Sequence, residues 1–261
     1  MSVQTNPLKT TAQELKAVLE GEGVEVSEHA FLEGCFELSS TGNLENLRAF
    51  QDGLFTVQDA AAKLAAIAAC PKAGDRVIDT CAAPGGKSIA MAMAMGNEGS
   101  ILSCDVEEHK LALIEKNAER LGISIIQTRF ADARVKDNNL TESADLVFCD
   151  VPCSGLGIIR KKPDIRYKDL SELAALPQIQ RDILETASSY VKRGGTLIYS
   201  TCTVLPEENE AVTDDFLARH HDFTYETFTL PAPLGTVEGH ITLWPQRHGT
   251  DGFYICRMKR S

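Results

Sequence analysis

No apolar run in this 261-residue chain approaches the roughly 20 residues that a membrane-crossing helix needs. The opening Met1-Ser2-Val3-Gln4-Thr5-Asn6 has neither a basic start nor an apolar stretch, which argues against a secretory leader. A cytoplasmic protein with no membrane partner is the expectation. None of the eight cysteines belongs to a Cys-x-x-Cys pair, and the closest two, Cys149 and Cys153, have no histidine nearby. Zinc-type spacing is thus missing and no metal is expected. Positive charge is scarce as well. A net charge of −11 argues against indiscriminate binding to a polyanion, because nonspecific nucleic-acid affinity rests on cation–phosphate contacts. Internal repeats and low-complexity tracts are absent. What is present is an ordinary globular composition, 43% hydrophobic and 24% charged, long enough for one sizeable domain and a small appendage.

The order of elements follows from turn and capping signals. Thr11-Ala12-Gln13-Glu14 is a capping-box pattern that opens a helix through about Glu20, ended by Gly21 and Gly23. With short extended pieces near 24–26 and 35–38 it suggests a small α/β unit over residues 1–48, followed by the main domain over 49–261. An Ala-rich helix over 58–70 stops at Pro71. Strand candidates at 76–80, 101–105, 125–130, 146–150 and 196–201 then alternate with helical stretches at 87–95, 107–121, 170–191 and from Pro206 to His220. Such alternation predicts a doubly wound parallel sheet. The segments 223–229 and 253–257 read as a final antiparallel pair.

Chemistry-bearing residues cluster where those strands end. In an open α/β sheet, the carboxyl ends of neighbouring strands deliver ligand-binding residues to one crevice. Asp79-Thr80-Cys81-Ala82-Ala83-Pro84-Gly85-Gly86-Lys87-Ser88 links the first of these strands to its helix. Its small residues permit close approach of a ligand, and a helix start favours a negative group. A Walker A loop needs glycine where Cys81 stands, and the Gly-x-Gly-x-x-Gly dinucleotide pattern is absent. A nucleoside cofactor that need not carry phosphates is what remains. Asp105, Asp132 and Asp150 follow three successive strands, and Asp105 stands where a carboxylate accepts hydrogen bonds from ribose hydroxyls. S-adenosylmethionine suits this cradle: its adenosine offers donors to acids, its carboxylate suits Lys87 or the helix start, and its sulfonium tolerates an acidic pocket. Two thiols complete the picture. Cys153 in Asp150-Val151-Pro152-Cys153 and Cys202 in Ser200-Thr201-Cys202-Thr203 each follow an apolar strand, a pairing that suggests covalent chemistry. Directly after the first thiol, Arg160, Lys161, Lys162, Arg166 and Lys168 outweigh Asp164 and form a local basic footprint.

Together these residues resemble the RNA cytosine-5 methyltransferases, and most closely the branch acting on bacterial 16S ribosomal RNA. The likeness lies in residues 79–88, in Asp150-Val151-Pro152-Cys153-Ser154-Gly155, in Arg160 with Pro163-Asp164, and in Thr201-Cys202-Thr203-Val204-Leu205-Pro206-Glu207-Glu208-Asn209; residues 53–59 and Asp251-Gly252-Phe253 match too. It spans nearly the whole chain. Members of that branch carry a helical NusB-like domain ahead of this region. Here the chain begins at about the start of the small N-terminal unit, so it is expected to be either an excised piece or a relative without that domain. The resemblance implies a Rossmann-like class I methyltransferase sheet with an antiparallel final strand, and an RNA-recognition-like N-terminal unit. It implies that Cys81, Ala82, Ala83, Pro84, Gly85, Gly86, Lys87, Asp105, Asp132 and Asp150 contact S-adenosylmethionine. It further implies that Cys202 is the nucleophile and that Cys153 assists product release, with Asp150 holding the base. RNA, expected to be 16S ribosomal RNA, would be the partner, with the five cations holding its phosphates and a monomer sufficing.

Alternatives stay open at this level. In DNA cytosine-5 methyltransferases the Pro-Cys thiol attacks, which would make Cys153 the nucleophile. A silent RNA-binding module and a small-molecule methyltransferase with two core cysteines are the other readings. A zinc deaminase fails, because Leu156 stands where its second cysteine is needed.

Overall fold

The computed structural model describes residues 1–169 and 173–261. Its first strand, β1 (Ser2–Thr5), leads to helix α1 (Ala12–Gly21), then to β2 (Glu25–Glu28), β3 (Cys35–Ser39) and β4 (Phe55–Val57). The capping box at the start of α1 is formed: the Glu14 N–H donates to Thr11 Oγ1 (3.2 Å) and the Thr11 N–H to Glu14 Oε2 (2.9 Å). These strands make an antiparallel sheet in the order β2-β3-β1-β4, so the small sheet draws on residues on both sides of position 48. It has a core of its own, built from Val3, Leu15, Leu19, Phe36, Leu38 and Phe55. Asn6 fastens the unit to the rest, its amide donating to the carbonyls of Gly53 (2.8 Å) and Leu121 (2.9 Å).

Helix α2 (Ala60–Ala69), capped by Asp59, opens the main domain; β5 (Arg76–Asp79), α3 (Gly86–Ala94), β6 (Ser100–Asp105), α4 (Glu108–Leu121), β7 (Ile126–Phe130) and β8 (Ala144–Asp150) follow. Then come α5 (Leu176–Ser188), β9 (Val191–Thr201) and α6 (Glu210–Arg219). The expected beginning of α5 at 170–172 lies outside the described residues. Strands β9, β8, β5, β6 and β7 lie side by side in that order and all run parallel. Period-two alternation splits their side chains between two faces. Val77, Leu146, Phe148 and Ile198 pack with α2 and α3, whereas Ile78, Val147, Cys149, Leu197 and Tyr199 pack with α5 and α6. The sheet is doubly wound, as the alternation of elements predicts.

The C-terminal part departs from expectation in two places. First, residues 223–229 do not form one strand. β10 (Phe223–Tyr225) pairs antiparallel with the C-terminal end of the final strand, but β11 (Phe228–Leu230) leaves the sheet to pair with β12 (Gly235–Val237). The reason is burial: Phe228 and Leu230 join the apolar cluster that contains α2. Strand β13 (His240–Leu243) takes the vacated edge of β14 (Phe253–Arg260), which itself runs antiparallel to β9. Second, the helix expected from Pro206 begins only at Glu210. Pro206–Glu208 forms a single 3-10 turn, and Asn209, at φ −112° and ψ −103°, separates it from α6.

The turn after β5 illustrates how tightly the site-forming loops are packed. Gly85 sits at φ +101°, and a Cβ there would lie 2.9 Å from Ile114 Cγ1 of α4. Gly85→Ala is expected to destabilise the protein by at least about 1–3 kcal/mol, the cost of a strained backbone alone. A fall in the urea midpoint at constant slope would register it; an unchanged midpoint would refute it.

Candidate active site

Four strand ends line a cleft of about 390 Å³, a size suited to a nucleoside-bearing metabolite. Its polar rim includes Asp105 after β6, Asp132 after β7 and Asp150 at the end of β8; its apolar walls are Val106, Pro152, Ile179 and Ile183. The position follows from topology. The chain reverses its direction of strand addition between β5 and β8, and such a switch point opens a crevice at the strands' carboxyl ends. Cys81 and Ala83 complete the lining on the turn after β5.

Each acid is held differently. Asp105 accepts the N–H groups of Ala83 (2.9 Å) and Glu107 (3.0 Å), which aims its carboxylate across the mouth of the turn. Asp132 is clasped by Arg134, whose Nε and Nη2 donate at 3.0 and 2.6 Å, and these bonds hold its pKa below the ordinary carboxylate value. Asp150 accepts the Ser200 hydroxyl (2.8 Å) on one oxygen and pairs with Lys87 on the other. Burial alone would lower the Lys87 pKa, but the charge and hydrogen bond of Asp150 carry it above the usual lysine range.

Of the residues expected at the cofactor, Cys81, Ala83, Asp105, Asp132 and Asp150 do line the cleft; Ala82, Pro84, Gly85, Gly86 and Lys87 are not among its lining residues. Ala82 is buried beside Leu111 and Ile114 of α4. The Gly86 carbonyl accepts from Gln58 (3.0 Å), and Gly85 backs onto Ile114. Lys87 pairs with Asp150. Val106 was not expected from sequence. It is 53% exposed yet lines the cleft, and an apolar residue directly after a strand-end acid was the available signal.

The two thiols meet. Cys153 Sγ lies 2.9 Å from Cys202 Sγ, and the Cys202 N–H also donates to Cys153 Sγ (3.2 Å). Both side chains are partly buried, neither is sealed, and both are free thiols. The Cys153 hydrogen bond lowers the Cys202 pKa, with help from the Lys87 charge and against burial and Asp150. The same bond, together with burial, pushes Cys153 well up. Of the pair, Cys202 is thus the more acidic thiol and Cys153 the more basic. The segment at Pro206 forms only a 3-10 turn, and the lowering comes from a thiol and a lysine.

Hydrogen bonds knit the two cysteine loops together. Ser154 Oγ donates to Thr203 Oγ1 (2.8 Å), and the Ser154 N–H donates to Glu208 (2.9 Å), a carboxylate only 2% exposed. Gln180 Nε2 of α5 donates to Glu208 as well (2.8 Å). Gly157 touches a third loop: its N–H donates to the Cys202 carbonyl (3.0 Å) and its carbonyl accepts from Gly252 (2.9 Å). A Cβ on Gly157 would fall 1.9 Å from the Gly252 oxygen, so no other residue fits between these loops.

The basic footprint is only partly free. Arg160 (3.3 Å) and Lys161 (2.7 Å) pair with Asp251, and Lys161 also pairs with Asp59. Asp251 is 2% exposed, and a buried carboxylate needs that counter-charge. These two cations, expected on phosphates, stay exposed and also serve as the counter-charge of Asp251. Lys162, Arg166 and Lys168 are exposed, although Lys168 Nζ also donates to the Ser154 carbonyl (2.9 Å). Among the described residues no helix is long and apolar enough to cross a membrane, and no cluster of three metal-ligating side chains occurs.

A parallel sheet with an antiparallel last strand, and a nucleoside-sized cleft at its switch point, define the Rossmann-like fold of the class I methyltransferases. The family model described as 16S rRNA methyltransferase RsmB/F matches residues 66–259, and the chain belongs to that family. The likeness to its RsmB branch read in the sequence is borne out. The chain is 38% identical to the probable ribosomal RNA small subunit methyltransferase B of Bacillus subtilis over 99% of its length, and 30% identical to methyltransferase F of Shewanella amazonensis over its whole length. It spans 59% and 58% of those two relatives. Among solved structures, a methyltransferase homolog protein from Pyrococcus horikoshii superposes with a TM-score of 0.79 at 28% identity, covering 100% of this chain and 86% of that one. NSun6 from the same organism, solved with SFG, shares the fold with a TM-score of 0.84 at 22% identity, covering 99% of this chain and 90% of that one.

Asp79 sits behind the cleft turn, 1% exposed, taking the Ser88 hydroxyl (2.6 Å) on one oxygen while the other has no partner. Burial pushes its pKa to about 7, from an ordinary value near 3.8. A raised folded-state pKa means the folded chain holds this proton more tightly. The cost of burying Asp79 is therefore absent below about pH 3.8, grows as the pH rises to about 7, and is constant above. Asp79→Asn should accordingly gain melting temperature relative to the unsubstituted protein from pH 4 to pH 7 and then plateau. Melting curves across pH 4–8 with a pH-independent difference would contradict this.

Proposed function

We propose that this chain transfers a methyl group from S-adenosylmethionine to carbon 5 of a cytosine in 16S ribosomal RNA, through a covalent adduct on Cys202. The observation that carries the reading is the Cys202–Cys153 contact beside the Lys87–Asp150 pair. The cleft fits the cofactor on its own terms: a polar rim for ribose and amino groups, and an exposed Val106 facing Ile179, Ile183 and Pro152 for a base. Cys81, Ala83, Asp105, Asp132 and Asp150 would hold it, and when bound it supplies an electrophilic methyl group.

The protein's own groups then have distinct tasks. Carbon 5 of cytosine is a poor nucleophile within an aromatic ring. The Cys202 thiolate adds to carbon 6, forming an S–C bond, and the ring's displaced electron pair makes carbon 5 enamine-like. Asp150, fixed by Lys87 and Ser200, holds the N3/N4 edge and stabilises the protonated ring. Bond formation at Cys202 removes the sulfur charge that raises the Cys153 pKa, and Cys153 can then release its proton to solvent. The resulting Cys153 thiolate takes the proton from carbon 5; that C–H electron pair restores the double bond and expels the Cys202 thiolate. The opposite pKa directions of the two thiols favour Cys202 over Cys153 as nucleophile. The target nucleotide must be unpaired or extruded to reach these groups. Lys162, Arg166 and Lys168 are available to flanking phosphates, which position without specifying. The small N-terminal sheet serves as the RNA-recognition-like unit.

Cys202→Ala is expected to reduce methyl transfer from labelled cofactor to background. Cys153→Ala should instead retain a protein–RNA adduct that survives denaturing gel electrophoresis, because the release step is lost. Full turnover by the Cys202→Ala variant would overturn the nucleophile assignment; absence of an adduct in the second variant would remove only the release role. Bisulfite sequencing of small-subunit ribosomal RNA from cells lacking the gene tests the cytosine.

A further inference from the structure

Tyr167 is 80% exposed, the barest of the large apolar and aromatic side chains among the described residues. It ends the 3-10 turn Pro163–Tyr167, next to the basic segment. Two contacts tether this turn to the first cysteine loop. Buried Ile165 packs against Gly155, where an added Cβ would lie 3.1 Å from Ile165 Cδ1, and Lys168 Nζ donates to the Ser154 carbonyl (2.9 Å). The aromatic ring is thus held on both sides of its own position to residues adjoining Cys153. Arg166 lies 5.7 Å from the ring centroid, and Lys162 and Lys168 stand on either side of the turn, against Asp164 within it.

An extruded nucleotide leaves its chain neighbour with an open π-face, which costs stacking energy until something replaces the lost partner. Sequence-specific proteins for unpaired RNA meet this need by stacking splayed bases on exposed aromatic rings, with cations on the intervening phosphates. We infer that Tyr167 stacks on an unpaired nucleobase flanking the target nucleotide, with Lys162 and Arg166 on the adjoining phosphates. The inference rests on the function proposed above and adds a specificity-determining contact to it. A ring fixed to the Cys153 loop sets the distance between the stacked base and the reacting one, so the identity of a neighbouring nucleotide becomes readable through its stacking strength.

The test uses the full chain and unmodified small-subunit ribosomal RNA made by transcription in vitro. Tyr167→Ala should raise KM for the RNA about tenfold, the order of one lost stacked base. Turnover at saturating RNA and the binding of S-adenosylhomocysteine should hardly change, and Tyr167→Phe should behave like the unsubstituted protein. A second measurement does not depend on catalysis. The chain has a single tryptophan, Trp244. In a Trp244→Phe background, the indole introduced by Tyr167→Trp should be quenched on titration with a short single-stranded oligoribonucleotide of the substrate sequence. An unchanged KM in Tyr167→Ala, or no quenching, would overturn the stacking role. Failure of the unsubstituted protein to methylate the RNA would count against the proposed function instead, and the quenching would still decide the contact.

Discussion

The site depends on one pairing: β8 and β9 run parallel in a register that sets Cys149 opposite Tyr199 and Asp150 opposite Ser200. Three residues beyond Asp150 and two beyond Ser200 the thiols meet, because both strands release their chains at the same end of the sheet. A slip of one residue would turn every inward side chain of β8 to the other face. Val147 and Cys149 pack under α5 and α6, whereas Leu146 and Phe148 pack under α2 and α3, so such a slip would exchange two well-filled cores. Core packing thereby fixes a distance between the two thiols that neither loop controls by itself.

On that frame the protein assembles a small amount of positive charge where it counts. Although the chain is acidic as a whole, Lys87 stands beside Asp150 and near the Cys202 thiol. Taking charges out of water is costly, and partners are the remedy. Asp150 has Lys87 and Ser200, Asp251 has Arg160 and Lys161, and Glu208 has the Ser154 amide and Gln180. The last two carboxylates carry no chemistry in the proposed reaction. They tie the loops after β8, after β9 and before β14 to one another, and the thiols stay in contact as a result.

Much of this was legible beforehand, and the reasons are physical. Parallel strands buried on both faces leave continuous apolar runs, so 146–150 and 196–201 stood out; the Thr11–Glu14 capping box acts within a few residues and appears as written. The ends of those strands carried the acids and thiols. Less legible were features that depend on distant partners. The strand expected over 223–229 breaks because Phe228 and Leu230 find burial at α2, about 160 residues earlier in the chain. Val106 gave only a faint signal, since an exposed valine is informative only once the cleft is visible.

By itself the sequence determined the kinds of element, their order, and which side chains stand at strand ends, because periodicity, capping and turn chemistry are local properties of neighbouring residues. The tertiary structure decided which charges are paired and which thiol is the more acidic. Lys87, expected at the cofactor, is the partner of Asp150, and Arg160 and Lys161, expected on phosphates, supply the counter-charge of Asp251. Those outcomes depend on burial and on separations of a few ångströms between residues 49 to 91 positions apart, where Coulomb and hydrogen-bond energies are set by geometry that no local pattern encodes.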